Sequence, residues 1–152
     1  MTETLTLVCF DYGRKRIGVA VGQTLTGTAS PLETIAVNKT APDWDAIAKI
    51  LRQWNPAALV VGYPLNMDGT TQSMTRAAVR FMNQLRHRYH LPVYQADERL
   101  SSYEAGSRLK KNSRDLDAVA AQVILETWLA ENHVSIENNA TIRHKTADHD
   151  KP

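Results

Sequence analysis

Four acidic residues stand where the chain passes from one element to the next, and carboxylates in such places can do chemistry. Asp11 closes the first apolar run, in Phe10-Asp11-Tyr12-Gly13; Asp97 and Glu98 close the last apolar run; Asp117 lies near the start of the final helical pattern, in Leu116-Asp117-Ala118-Val119-Ala120-Ala121. A carboxylate between buried strands must be neutralised or hold a cation, because an unpaired buried charge is expensive. In an open α/β sheet the carboxyl ends of neighbouring parallel strands form one crevice, so acids distant in sequence converge there. Three carboxylates around a water-accessible hollow suit Mg²⁺ or Mn²⁺, and two such ions ~4 Å apart activate water and stabilise the leaving oxygen of a phosphodiester. The expected reaction is hydrolysis of nucleic acid. Each acid also has a structural alternative: Asp11 as a cap on the turn at Gly13, Glu98 as the partner of Arg99 or Arg16, Asp117 as a favourable charge at a helix N-terminus. Their joint placement favours the site.

Cations lie beside these acids. Arg14, Lys15 and Arg16 occupy the turn after Asp11, where strand alternation lets only some of them point at a substrate; Lys15 and Arg16 are the expected phosphate contacts. Arg99 follows the acidic pair and can clamp a phosphate or neutralise the carboxylates. Asn66, in the Asn66–Thr70 loop after the fourth strand, either positions substrate or belongs to a turn that caps the next helix. Arg76 and Arg80 form a one-sided basic ridge on the second helix. From Arg99 to Arg114 the chain carries Arg99, Arg108, Lys110, Lys111 and Arg114 against Glu104 alone, an excess that suits phosphates as well as an ordinary solvated helix face. Gly13 and Gly18 serve either turn geometry or a close approach that a side chain would block.

The elements that must position these groups follow from periodicity. Thr4–Asp11 and Ile17–Gly22 are apolar stretches around a glycine-containing turn and predict a hairpin, and Ala29–Asn38 adds a third, antiparallel strand. Pro42–Trp54 carries Trp44, Ile47, Ile50, Leu51 and Trp54 at helical spacing, with Asp43 or the preceding threonine as cap. Leu59-Val60-Val61-Gly62 is uniformly apolar, the signature of a strand buried on both faces and paired in parallel with the first. A loop over residues 63–71 leads to a helix ending near Tyr89; Leu91–Ala96 is a fifth strand, and helices follow over 101–111 and 115–131. The order βββαβαβαα predicts a mixed five-stranded sheet with helices on both faces. Ala118, Ala120 and Ala121 would let the last helix lie close to the sheet and draw Asp117 towards Asp11.

Composition bounds the rest. The 152 residues, 43% of them hydrophobic, suit one domain over 1–132. The polar stretch 133–152 is expected to be a disordered tail, and its His133, His144 and His149 lack ligand spacing. A net charge of +2 neither demands nor forbids a polyanionic partner. No apolar run approaches the ~20 residues that span a bilayer, and with no signal-peptide pattern at the N-terminus a cytoplasmic location is expected. The lone cysteine, Cys9, reads as a small buried hydrophobe.

Four ordered segments together resemble the YqgF family: Phe10-Asp11-Tyr12-Gly13 with Lys15-Arg16-Ile17-Gly18-Val19-Ala20; Val61-Gly62-Tyr63-Pro64 with Asn66-Met67-Asp68-Gly69-Thr70; Asp97-Glu98-Arg99-Leu100-Ser101; and Asp117-Ala118 with Ala120-Ala121 and Ile124-Leu125. The resemblance spans residues 5 to 130. It implies an RNase H-like fold and a Mg²⁺- or Mn²⁺-dependent nuclease that matures pre-16S rRNA during ribosome biogenesis, or else a Holliday junction resolvase. It also implies that Asp11, Glu98 and Asp117 are the acidic site, with Asp97 as a neighbour. Many RNase H-like nucleases take the second acid from the fourth strand; here that strand ends in Gly62, which leaves the role to Asp97-Glu98-Arg99. The chain departs from the family pattern at Ser102, where threonine is common, and in the 106–115 connection, which lacks the usual glycine-rich, lysine-containing stretch. The implied partner is structured RNA, alternatively branched DNA, with the protein a monomer or weak homodimer. Two other classes fit parts of the pattern. One is a nucleotide-binding lobe with an Asp-x-Gly phosphate hairpin, disfavoured because that architecture needs two lobes; the other is a non-catalytic nucleic-acid-binding module.

Overall fold

The computed structural model describes residues 4–13, 15–39, 41–63, 73–97 and 113–146. Among them run six strands, β1 (Thr6–Tyr12), β2 (Arg16–Gln23), β3 (Thr28–Asn38), β4 (Ala41–Pro42), β5 (Ala58–Tyr63) and β6 (Val93–Asp97), and three helices, α1 (Trp44–Trp54), α2 (Ser73–Tyr89) and α3 (Ser113–Thr146). The strands form one sheet in the order β4-β3-β2-β1-β5-β6. β1, β2 and β3 pair antiparallel, whereas β5 runs parallel to β1 and β6 parallel to β5. The expected mixed α/β sheet is therefore present, with one addition. Ala41–Pro42 pairs with Val37 and Asn38 as a two-residue edge strand, where proline's missing N–H is tolerated.

Strand alternation divides the core into two. Val8, Phe10 and Tyr12 of β1 pack with Ile47, Ile50 and Leu51 of α1 and with Phe81, Met82 and Leu85 of α2. Leu7 and Cys9, the intervening residues, pack with Ala121, Ile124, Leu125, Trp128 and Leu129 of α3. One face of the sheet thus carries α1 and α2, the other α3, and a side chain's parity along β1 decides which it meets. Cys9 is buried in the α3 layer, as a small hydrophobe should be.

The helix ends follow from local chemistry. Asp43 Oδ1 accepts the N–H of Ala46 at 3.1 Å, satisfying an orphan donor at the start of α1. At the other end Asn55 adopts the left-handed conformation, φ 46°, and its N–H donates to the Leu51 carbonyl at 2.8 Å. α3 differs from the sequence expectation in length. It continues to Thr146, where a disordered tail was expected from residue 133, since adding residues to an established helix costs far less than nucleating one. The predicted helix over 101–111 and residues 147–152 lie outside the described residues. No helix among the described residues is long and apolar enough to cross a membrane.

Candidate nuclease site

The register of the first hairpin builds the site. Asp11 lies directly across from Gly18, so the two residues share a face of the sheet. That face is the α3 face, because Leu7 and Cys9, four and two residues before Asp11, pack into the α3 layer. Asp11 is half-buried at the carboxyl end of β1, the edge at which parallel β5 also ends.

Gly18 brings in the helix. A β-carbon built on it would overlap the carbonyl oxygen and carbon of Asp117 and stand 2.9 Å from the Ala118 nitrogen. The backbone of α3 therefore rests on the bare α-carbon of Gly18, and no other residue type fits without moving the helix. β2 repeats the device: Gly18, Ala20 and Gly22 alternate along the same face, Ala20 is buried in the α3 layer, and a β-carbon at Gly22 would stand 2.8 Å from Leu125 Cδ2. Farther along, Gln122 Nε2 donates to the Ala29 carbonyl at 3.0 Å and Glu126 Oε2 accepts the Ala29 N–H at 3.4 Å, pinning α3 to β3. The expected close approach of the alanine-bearing helix is present, with Ala118 and Ala121 buried.

With the helix seated there, Asp117 meets Arg16. Arg16 Nε donates to Asp117 Oδ2 at 2.6 Å, a short charge-assisted bond between side chains 39% and 27% exposed. It is the only ion pair among the described residues. Arg16 precedes Gly18 by two on β2, so Arg16, Gly18, Asp11 and Asp117 occupy one corner of the sheet. One bond uses a fraction of a carboxylate's four lone-pair positions and one of a guanidinium's five N–H donors. Asp117 retains oxygen capacity for a cation, and the remaining N–H groups of Arg16 make no hydrogen bond within the described residues.

The turn that carries the cations is fixed as well. A β-carbon at Gly13 would stand 2.7 Å from the Arg16 carbonyl, so this glycine closes the turn, whereas Gly18 admits the helix. The Lys15 carbonyl accepts the Val37 N–H at 2.9 Å, which ties the turn to β3 while leaving Lys15 exposed.

The structure thus brings together Asp11, Asp117 and Arg16, with Lys15 on the adjoining turn. Glu98, Arg99 and Asn66 lie outside the described residues, and Asp97 is placed only as the last backbone position of β6. Among the described residues no group of three or more His, Cys, Asp or Glu is close enough to hold a metal ion. The two carboxylates that are described are hard oxygen donors on one water-accessible corner, and this donor chemistry fits a divalent cation such as Mg²⁺ or Mn²⁺. The sequence reading did not pair Arg16 with Asp117. The Gly18-Ala20-Gly22 alternation is the signal for the docking that joins them.

Comparison with known proteins agrees with this architecture. Residues 5–131 match the model of the RuvX family, described as Holliday junction resolvase. A protein of Nitrosococcus oceani named "Putative pre-16S rRNA nuclease" is 48% identical over 141 residues, covering 89% of this chain and 88% of its own. One of the same name from Azotobacter vinelandii is 47% identical over 132 residues, covering 82% and 93%. Among solved structures, T. thermophilus RuvC in complex with a Holliday junction substrate superposes with a TM-score of 0.54 at 13% identity, over 86% of this chain and 96% of that one. Fowlpox virus resolvase with Holliday junction DNA gives 0.52 at 13% identity, over 84% and 98%. At such identities these likenesses speak for the fold alone. The family match covers five-sixths of the chain and includes all four segments read from the sequence: the chain belongs to the RuvX family.

Proposed function

We propose that this protein is a divalent-metal-dependent nuclease that hydrolyses phosphodiester bonds in pre-16S rRNA, with Asp11, Glu98 and Asp117 as its acidic site. The observation that carries the reading is the convergence of Asp11 and Asp117 on one corner, produced by the contact of α3 with Gly18. Glu98 is proposed as the third acid from the resemblance of the Asp97-Glu98-Arg99 segment to the family pattern. The names of relatives at 47–48% identity favour pre-16S rRNA as substrate.

The roles divide by chemistry. Asp11 and Asp117 supply anionic oxygens; a bound Mg²⁺ or Mn²⁺ would supply charge stabilisation and an activated water. Arg16 holds Asp117 through Nε, fixing the carboxylate's orientation, and turns its other N–H groups towards a phosphate. Lys15 on the anchored turn adds a positive charge along the backbone path of the substrate. Arg99 and Asn66 are further proposed contacts to the nucleic acid.

Lys15→Ala and Arg16→Ala are expected to separate these roles. Lys15→Ala should weaken substrate binding and lower the salt slope by about one, with turnover of bound substrate nearly unchanged. Arg16→Ala should lower turnover as well, because Asp117 loses the bond that orients it. Equal effects on KM and kcat in both variants would remove the distinction.

The substrate is tested by incubating the protein with Mn²⁺ and two labelled nucleic acids, a precursor RNA bearing the 16S 5′ extension and a synthetic four-way DNA junction. Preferential cleavage of the RNA is expected. The family description and the fold likeness give the junction as second reading, and symmetric cleavage of the junction with intact RNA would establish it in place of the first.

A further inference from the structure

Among the described helices α2 alone carries cations and no acid. Residues Ser73–Tyr89 include Arg76, Arg80, Arg86, His87 and Arg88 without an aspartate or glutamate. Exposed helices ordinarily offset such charge with acids three or four positions away; here Arg76 and Arg80 face one another at i, i+4, an arrangement that destabilises the helix slightly. Because the one ion pair among the described residues is Arg16–Asp117, none of these arginines has a carboxylate partner there.

Two of the arginines have structural duties, and these sharpen the picture. Arg86 donates to Asn83 Oδ1 and to the Val93 carbonyl, each at 2.9 Å, and so straps α2 to β6. Arg88 lies 4.0 Å from the centroid of the Trp44 ring, an attraction that holds the guanidinium in place without neutralising it. Arg76, Arg80, His87 and Arg88 remain as exposed positive or protonatable groups. Arg80, Asn83, Gln84, His87 and Arg88 line a shallow cavity of ≈ 380 Å³.

Charge and topology point to one kind of occupant. Leu25 is the sole large hydrophobic exposed among the described residues, so α2 from Arg76 onward offers none of the apolar anchors that protein interfaces bury. Guanidinium groups beside amide donors are what a phosphodiester backbone takes. A substrate strand reaches this helix from the acids by passing around the carboxyl edge of the sheet. α2 packs on the sheet face opposite α3, and it runs from the edge at which β1 and β5 end back to the edge where β6 begins. Arg76 lies towards the site end, and the seventeen residues carry the charge ~25 Å away from it.

We infer that the exposed face of α2 is a second nucleic-acid contact, one that grips the phosphate backbone of the substrate beyond the bond being cut. The inference rests on the proposed nuclease reading for the identity of its ligand. It makes the protein a reader of substrate extent: a fragment too short to reach α2 loses these contacts although the acids are intact.

The test measures binding of the 5′-extended precursor RNA and of the four-way DNA junction in metal-free buffer across a salt series. An Arg76→Gln/Arg80→Gln variant is compared with the wild type and with Arg76→Lys/Arg80→Lys. The glutamine pair is expected to weaken binding on the order of tenfold near 0.1 M salt and to lower the salt slope by about two, while the lysine pair keeps the slope. Wild-type affinity and slope in the glutamine variant, with cleavage retained, would overturn this contact alone and turn attention to an acidic protein partner. A wild type that binds neither nucleic acid would overturn the nuclease reading together with it.

Discussion

Asp11→Asn is expected to remove Mn²⁺-dependent cleavage and leave the fold in place. The amide keeps the shape of the carboxylate but lacks the charge that a divalent cation needs. Losing several kcal/mol of transition-state stabilisation, about 4, lowers the rate by about 10³-fold. Stability should barely move. Asp11 is half-buried at a strand end, and an isosteric change at such a position alters stability by roughly 0.5 kcal/mol, or about 1–2 °C in Tm. Cleavage kinetics with Mn²⁺ and a thermal melt on the same preparation check both parts. An active Asp11→Asn protein would remove Asp11 from the site.

Gly18→Ala should do the reverse, damaging the fold first and activity as a consequence. The added methyl meets the backbone of Asp117 and Ala118, which cannot rotate away as a side chain would. Overpacking of this kind typically costs about 1–3 kcal/mol, and the backbone contact puts Gly18→Ala at the upper end with Gly18→Val beyond it. Relief requires α3 to lift from β2, carrying Asp117 away from Asp11, and a displacement of ~1 Å in such a site lowers turnover by about 10²-fold. Gly22→Ala provides the comparison. Its added methyl would meet Leu125 Cδ2 at 2.8 Å, the end of a flexible side chain, and the Thr28 carbonyl oxygen at 3.0 Å, a far milder backbone contact than at Gly18, so a loss of about 1 kcal/mol with most activity retained is expected. Urea denaturation of the three variants measures the order. A Gly18→Ala protein as stable and active as Gly22→Ala would mean that the helix contact does not set the site.

These expectations show which parts of the molecule the sequence made legible. The strands around Asp11 and the parallel strand β5 were readable because a residue's side of the sheet is fixed by a period of two, and the apolar run 59–62 admits no solvent face. Asp43 was readable as a cap because its role is local. Asp11 was readable as a site candidate because a charge at the end of an apolar strand needs an explanation. The Arg16–Asp117 bond was not: the two residues are 101 positions apart, and their meeting depends on the depth at which α3 sits on the sheet. That depth is set by Gly18, and a glycine in sequence serves turn chemistry and close approach equally well; only the packing of α3 distinguishes them. The strand at Ala41–Pro42 was hidden by its length and its proline, and the end of α3 by a polar composition that carries no periodic signal.

The proposed site rests on two carboxylates acting together on a divalent cation, and the most direct measurement is of that binding, free of any choice of substrate. Mn²⁺ titrated into the wild type, Asp11→Asn and Asp117→Asn and followed by its paramagnetic resonance should show a saturable site in the wild type. Each variant should weaken that site on the order of tenfold or more, since each removes a charged oxygen ligand. Identical Mn²⁺ affinity in all three proteins would contradict the proposed site.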